Sequence, residues 1–136
     1  MQGRTVTVEI VVVDPPTHFA GYDSIELVLS TKDGNFPPVS KTERELIFEV
    51  SVEIRADKSG VLQGWGPAVN RQGDGVRFIY LSWIGTQGGF PAMFRRLKVG
   101  LDQVPGFPGP QDRYSVRVSG QDKRGGPACA RATLAP

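Results

Sequence analysis

The chain has 136 residues and a formal net charge of +2, with 39% hydrophobic and 22% charged positions. Val, Ile, Leu and Phe fill 37 of them, above the roughly 20% below which chains stay disordered, and the length suits one domain spanning residues 1–136. Gly and Pro fill 28 positions without a collagen period, and the single cysteine, Cys129, permits no intrachain disulfide, so disordered, collagen-like and disulfide-scaffold classes are excluded.

The chain reads as strands and turns. In residues 5–13, Val6, Val8, Ile10 and Val12 point one way and Thr5, Thr7 and Glu9 the other, while Val11 and Val13 make the second face apolar too. Such a strand belongs in the middle of a sheet. Asp14-Pro15-Pro16 ends it, because proline cannot donate to a ladder. Ile25, Leu27 and Leu29 alternate with Glu26, Val28 and Ser30, and Lys32-Asp33-Gly34-Asn35 is a turn signal. Phe48, Val50, Val52 and Ile54 alternate with Glu49, Ser51, Glu53 and Arg55, the clearest half-buried strand in the sequence.

The turn 57–60 leads to a short strand near residues 61–63, then to Gly64-Trp65-Gly66-Pro67. The turn 72–75 leads into residues 77–83, where Ile79, Leu81 and Trp83 share one face and Phe78, Tyr80 and Ser82 the other. Residues 94–104 fit either a helical stripe (Phe94, Leu97, Leu101, Val104) or a strand (Leu97, Val99, Leu101). Gly100 and Val99 favour the strand. Tyr114, Val116 and Val118 alternate with Ser115, Arg117 and Ser119, and a hairpin turn at 122–126 is expected to return the chain through 128–134. Seven or eight short strands predict an all-β fold, an antiparallel β-sandwich or a partly open barrel, with at most one short helix.

Recognised chemistry is sparse. The single histidine, His18, follows Pro15-Pro16 on a loop without a nucleophile pattern around it. One histidine and one cysteine build no zinc set, and no phosphate-loop or dinucleotide fingerprint points to a cofactor. Cys129, between Ala128 and Ala130, reads as a small buried thiol. Glu49, Glu53 and Asp57 line the polar side of a strand and its turn, a solvated face by the usual exposure of carboxylates.

The most suggestive constellation is basic and aromatic: Trp65, Arg71, Arg77, Tyr80, Trp83, Arg95, Arg96 and Lys98. Guanidinium forks bind carboxylate or phosphate, and flat rings stack. From it we take Trp65, Arg77, Tyr80, Trp83, Arg95 and Arg96 as candidate ligand-binding residues, with Arg77, Arg95 and Arg96 expected on one electropositive surface. The bland alternative puts both tryptophans in the core and pairs the arginines with the acidic strand 48–55. Residues 1–60 carry 6 basic and 10 acidic side chains, residues 61–136 carry 10 and 4, so opposite charges are available for such pairing. A net charge of +2 and the lack of an RNA-binding signature argue against nucleic acid.

Gly64-Trp65-Gly66-Pro67, residues 77–83 and Phe94-Arg95-Arg96-Leu97-Lys98 together resemble the signature of a family of small uncharacterised bacterial proteins, a domain of unknown function. The resemblance is strongest over residues 60–104. It implies a bacterial single-domain protein of unassigned activity and transfers no catalytic residues.

The sequence therefore predicts a non-enzymatic β module that binds a small anionic ligand or a protein partner. One alternative is an enzyme acting on a small acidic or aromatic substrate through Glu49, Glu53 or Asp57. Another is a self-associating structural protein, a homo-oligomer whose acidic half meets a basic half. The N-terminus shows no signal pattern, and its apolar run is too short for a span. One cysteine suits a reducing compartment, so a cytoplasmic location away from the membrane is expected.

Overall fold

The computed structural model describes residues 3–73 and 75–136. They form two β-sheets packed face to face. The first sheet contains β1 (Arg4–Val13), β4 (Ser40–Lys41), β5 (Glu45–Ala56), β6 (Leu62–Trp65) and β10 (Arg113–Ser119). Its order is β10-β1-β5-β4, with β6 also pairing on β5. The second contains β2 (Ser24–Thr31), β3 (Gly34–Phe36), β7 (Val69–Arg71), β8 (Arg77–Gln87), β9 (Phe90–Gly100) and β11 (Ala130–Arg131). Its order is β11-β9-β8-β2-β3, with β7 also on β8. The sheets do not close into a barrel, so the sandwich is the form adopted. Among the described residues no helix is long and apolar enough to cross a membrane.

β1 lies between β10 and β5, the central place its two apolar faces predict. On β5, Phe48, Val50, Val52 and Ile54 are buried while Glu49, Ser51 and Arg55 are exposed, so the period-2 pattern sets which face enters the core. β8 is central in its sheet, and every residue from Arg77 to Trp83 is buried. Ile79, Leu81 and Trp83 join the core. The opposite face is covered by cations: Arg96 lies over Tyr80, and Lys98 and Arg131 over Phe78.

Strand direction departs from the antiparallel expectation at two places. β10 pairs parallel to β1, and β11 pairs parallel to β9. The expected return of residues 128–134 against β10 is reduced to isolated bridges, Val118 with Leu134 and Gln121 with Pro127. Ala130 has φ of 59°, which interrupts an extended run and turns the segment toward β9. Ala128 and Ala132 take the buried positions, and Cys129, expected inside, is exposed. Residues 94–100 continue β9 as a strand, and a 3-10 turn at Leu101–Gln103 then buries Leu101 and Val104. The apparent helical stripe is thus a strand followed by one turn. Asp74 of the expected turn 72–75 lies outside the described residues. The turn is closed by Gly75 N–H donating to the Gln72 carbonyl at 3.0 Å.

Candidate functional site

Gly64 and Gly66 place Trp65. A Cβ on Gly64 would stand 2.5 Å from Leu101 and 2.9 Å from Val52, so β6 can lie against the core only with glycine there. Because side chains alternate, Gln63 and Trp65 then share the other face, beside Glu53 and Arg55 of β5. Gly66, at φ 152° and close to the Ser51 carbonyl, turns the chain from the first sheet toward β7 in the second. β7 sets Arg71 directly opposite Arg77 of β8.

Arg77 therefore reaches from the end of one sheet to the edge of the other. Its guanidinium carbon lies 3.5 Å from the Trp65 ring centroid, and that of Arg55 lies 4.1 Å away. Arg77 Nε donates to Gln63 Oε1 at 2.9 Å, and Gln63 Nε2 donates to Asp57 Oδ2 at 2.9 Å. Among the described residues no carboxylate comes within ion-pair distance of Arg77, although the residue is only 8% exposed. Desolvation, then repulsion from Arg71 and Arg55, lowers its pKa below the ordinary guanidinium value, against a smaller opposing attraction from Asp57. It still remains charged at neutral pH. The Trp65 indole nitrogen is buried and has no acceptor among the described residues.

These side chains border an open cleft of about 730 Å³. Among the described residues Arg55, Lys58, Arg71 and Arg77 line it with Gln63, Trp65 and one carboxylate, Asp57. That carboxylate is already engaged: it accepts from Ser59 Oγ at 2.6 Å, from the Ser59 and Val61 N–H groups and from Gln63. The Ser59 hydroxyl first, with the backbone N–H groups and Arg71, lowers its pKa. The direction is that of a persistent anion and opposite to the raised value of a general acid at neutral pH.

The sequence candidates divide among several settings. Trp65 and Arg77 meet in the cleft. Tyr80 is buried under Arg96 on the outer face of the second sheet. Trp83 is 1% exposed and donates its indole N–H to the Ala128 carbonyl at 2.8 Å. It touches the cleft nowhere, and its accessible edge meets a separate cavity beside Pro15 and Pro37. Arg95 pairs with Asp122 at 3.2 Å, donates to the Pro127 carbonyl at 2.7 Å and lies over Phe19. Arg77, Arg95 and Arg96 thus occupy three environments.

The acidic strand is answered by other arginines. Arg113 reaches Glu9 and Glu49, at 3.7 and 3.4 Å, and Arg117 reaches Glu45 at 2.9 Å. Glu9 and Glu49 are direct cross-strand partners, a like-charge contact that Arg113 offsets. Glu53 lies 3.9 Å from Arg55. His18 is exposed on a loop.

Arg55 and Arg71 complete the cleft and are absent from the sequence-based candidates. Arg71 was visible in the basic-aromatic constellation. Arg55 could have been found from register, because strand alternation puts it on the polar face that β6 joins.

The fold and cleft define a two-sheet β protein with a cationic, tryptophan-containing cleft where the sheets meet. Residues 6–135 match the Family of unknown function (DUF5990), and the chain belongs to that family. No curated protein and no solved structure matches it.

Proposed function

We propose that the protein is a binding module for a small anionic ligand held in the Arg55–Trp65–Arg71–Arg77 cleft. The observation that carries this reading is Arg77: a buried guanidinium facing two other arginines, with a side-chain amide as its hydrogen-bond acceptor. Burying a charge is costly unless an opposite charge compensates it. An anion in the cleft would supply that compensation and relieve the repulsion from Arg55 and Arg71. Guanidinium forks match the oxygens of phosphate and carboxylate groups, forming charge-assisted bonds worth about 1.5–3 kcal/mol each.

Titration calorimetry with pyrophosphate as the probe tests the reading. Saturable binding is expected, weakening as salt is raised because part of the cleft faces solvent. Arg77→Gln should weaken it about tenfold or more, the loss of one charge-assisted bond. No binding by the wild-type protein, or equal binding by a folded Arg77→Gln variant, would overturn it.

A further inference from the structure

We infer that the ligand is an organic phosphate, its phosphoryl group against Arg77 and its apolar substituent in a neighbouring pocket; this rests on the anion-binding reading above. The cleft does not end at Arg77. A second cavity, of about 290 Å³, shares Gln63 and Arg77 with it and is otherwise walled by Leu62, Leu101, Phe107 and Pro108 among others. β6 runs between the two: Gln63 and Trp65 point to the cationic side, and Leu62 alternates to the other.

The apolar wall is firm on one side and open on the other. Leu101 belongs to the core, and Phe107 packs against it with its ring edge-on to Tyr114 at 5.2 Å. Leu62 stands at the mouth, 46% exposed. Asp102 also borders this pocket, but Arg131 Nη2 holds its carboxylate at 2.7 Å, so its charge is offset. A closed apolar cavity of about 150 Å³ accommodates benzene, so the space suffices for a six-membered ring.

Charge selects the head group. Among the described residues four cations line the cleft with one carboxylate, Asp57, which is occupied by its own turn, while Glu53 lies 3.9 Å from Arg55 alone of the four. Phosphate monoesters carry nearly two negative charges at neutral pH and present three oxygens to several forks, whereas a carboxylate brings one charge and two oxygens. A phosphate monoester of a small aromatic or branched alcohol fits both halves.

Calorimetry with inorganic phosphate and with phenyl phosphate tests this on the wild type, Leu62→Trp and Arg77→Gln. Phenyl phosphate should bind about tenfold or more tightly than phosphate to the wild type, from burial of the ring. Leu62→Trp, a change at an exposed position that fills the pocket mouth, should cut the preference to about twofold and leave phosphate binding unchanged. Arg77→Gln should weaken both. Equal wild-type affinities, or a preference that survives Leu62→Trp, would overturn the inference while leaving anion binding intact. Binding of neither ligand would overturn both.

Discussion

Arg77 lies over Trp65 with its guanidinium carbon 3.5 Å from the ring centroid, although the two residues belong to different sheets. The contact joins the edge of one sheet to the end of the other. Cation–π attraction of about 0.5–2 kcal/mol offsets part of the cost of burying Arg77, but it supplies no opposite charge. The same pair therefore serves packing while leaving the cleft cationic.

This predicts a separation of stability from binding. Arg77→Gln removes a desolvated cation beside two others along with one ring contact, so the thermal midpoint should shift by only a few degrees, as for a change near 1 kcal/mol. Pyrophosphate binding should fall by about tenfold or more. Thermal unfolding and calorimetry on one preparation check both halves.

The two faces of β5 make a second comparison. Phe48 is 1% exposed, and Phe48→Ala should cost about 3–5 kcal/mol in denaturant unfolding. Its neighbour Glu49 contacts Arg113 at 3.4 Å with both side chains largely in solvent, so Glu49→Ala should cost less than about 1 kcal/mol.

Trp83 acts in the core through its ring and its hydrogen bond to the Ala128 carbonyl. Trp83→Phe should lose about 1–3 kcal/mol, because a buried carbonyl loses its donor. Pyrophosphate affinity should stay within about twofold of wild type, since Trp83 does not line the cleft.

Acid should loosen the turn at residues 122–126. Asp122 Oδ1 accepts the Arg124 and Gly126 N–H groups at 2.9 and 2.8 Å, and Arg95 reaches Oδ2. These partners, the backbone bonds foremost, lower its pKa below the ordinary carboxylate value. A carboxyl with a lower pKa in the folded than in the unfolded chain contributes stability above about pH 4, which fades as pH falls through the folded value. Stability should therefore decline below about pH 4, and less steeply in Asp122→Asn than in wild type, as followed by urea unfolding between pH 2 and 6.

The sandwich was legible because burial of one sheet face imposes period 2, and residues 48–54 and 114–118 carry it without interruption. The central position of β1 was legible from the second apolar face at Val11 and Val13. Parallel pairing of β10 on β1 was not, because it depends on where a distant segment docks rather than on local alternation. Cys129 was misplaced because Ala130 leaves the extended region, and alternation then no longer counts. The cleft was half legible. Trp65 and Arg77 stood out by residue type, whereas Arg55 belongs to a strand whose polar face looked merely solvated until β6 paired with it.

The most direct test follows the indole N–H groups of the two tryptophans by nitrogen–proton correlation NMR, with Trp65→Phe identifying the Trp65 signal. Trp83 N–H is bound to a backbone carbonyl, while Trp65 N–H is buried beside the cleft without an acceptor among the described residues. Added pyrophosphate should move the Trp65 resonance to saturation and leave that of Trp83 in place, and Arg77→Gln should displace the titration to about tenfold or more higher concentration. A Trp65 resonance that stays fixed through the titration, or that moves at the same concentrations in Arg77→Gln, would contradict anion binding in this cleft.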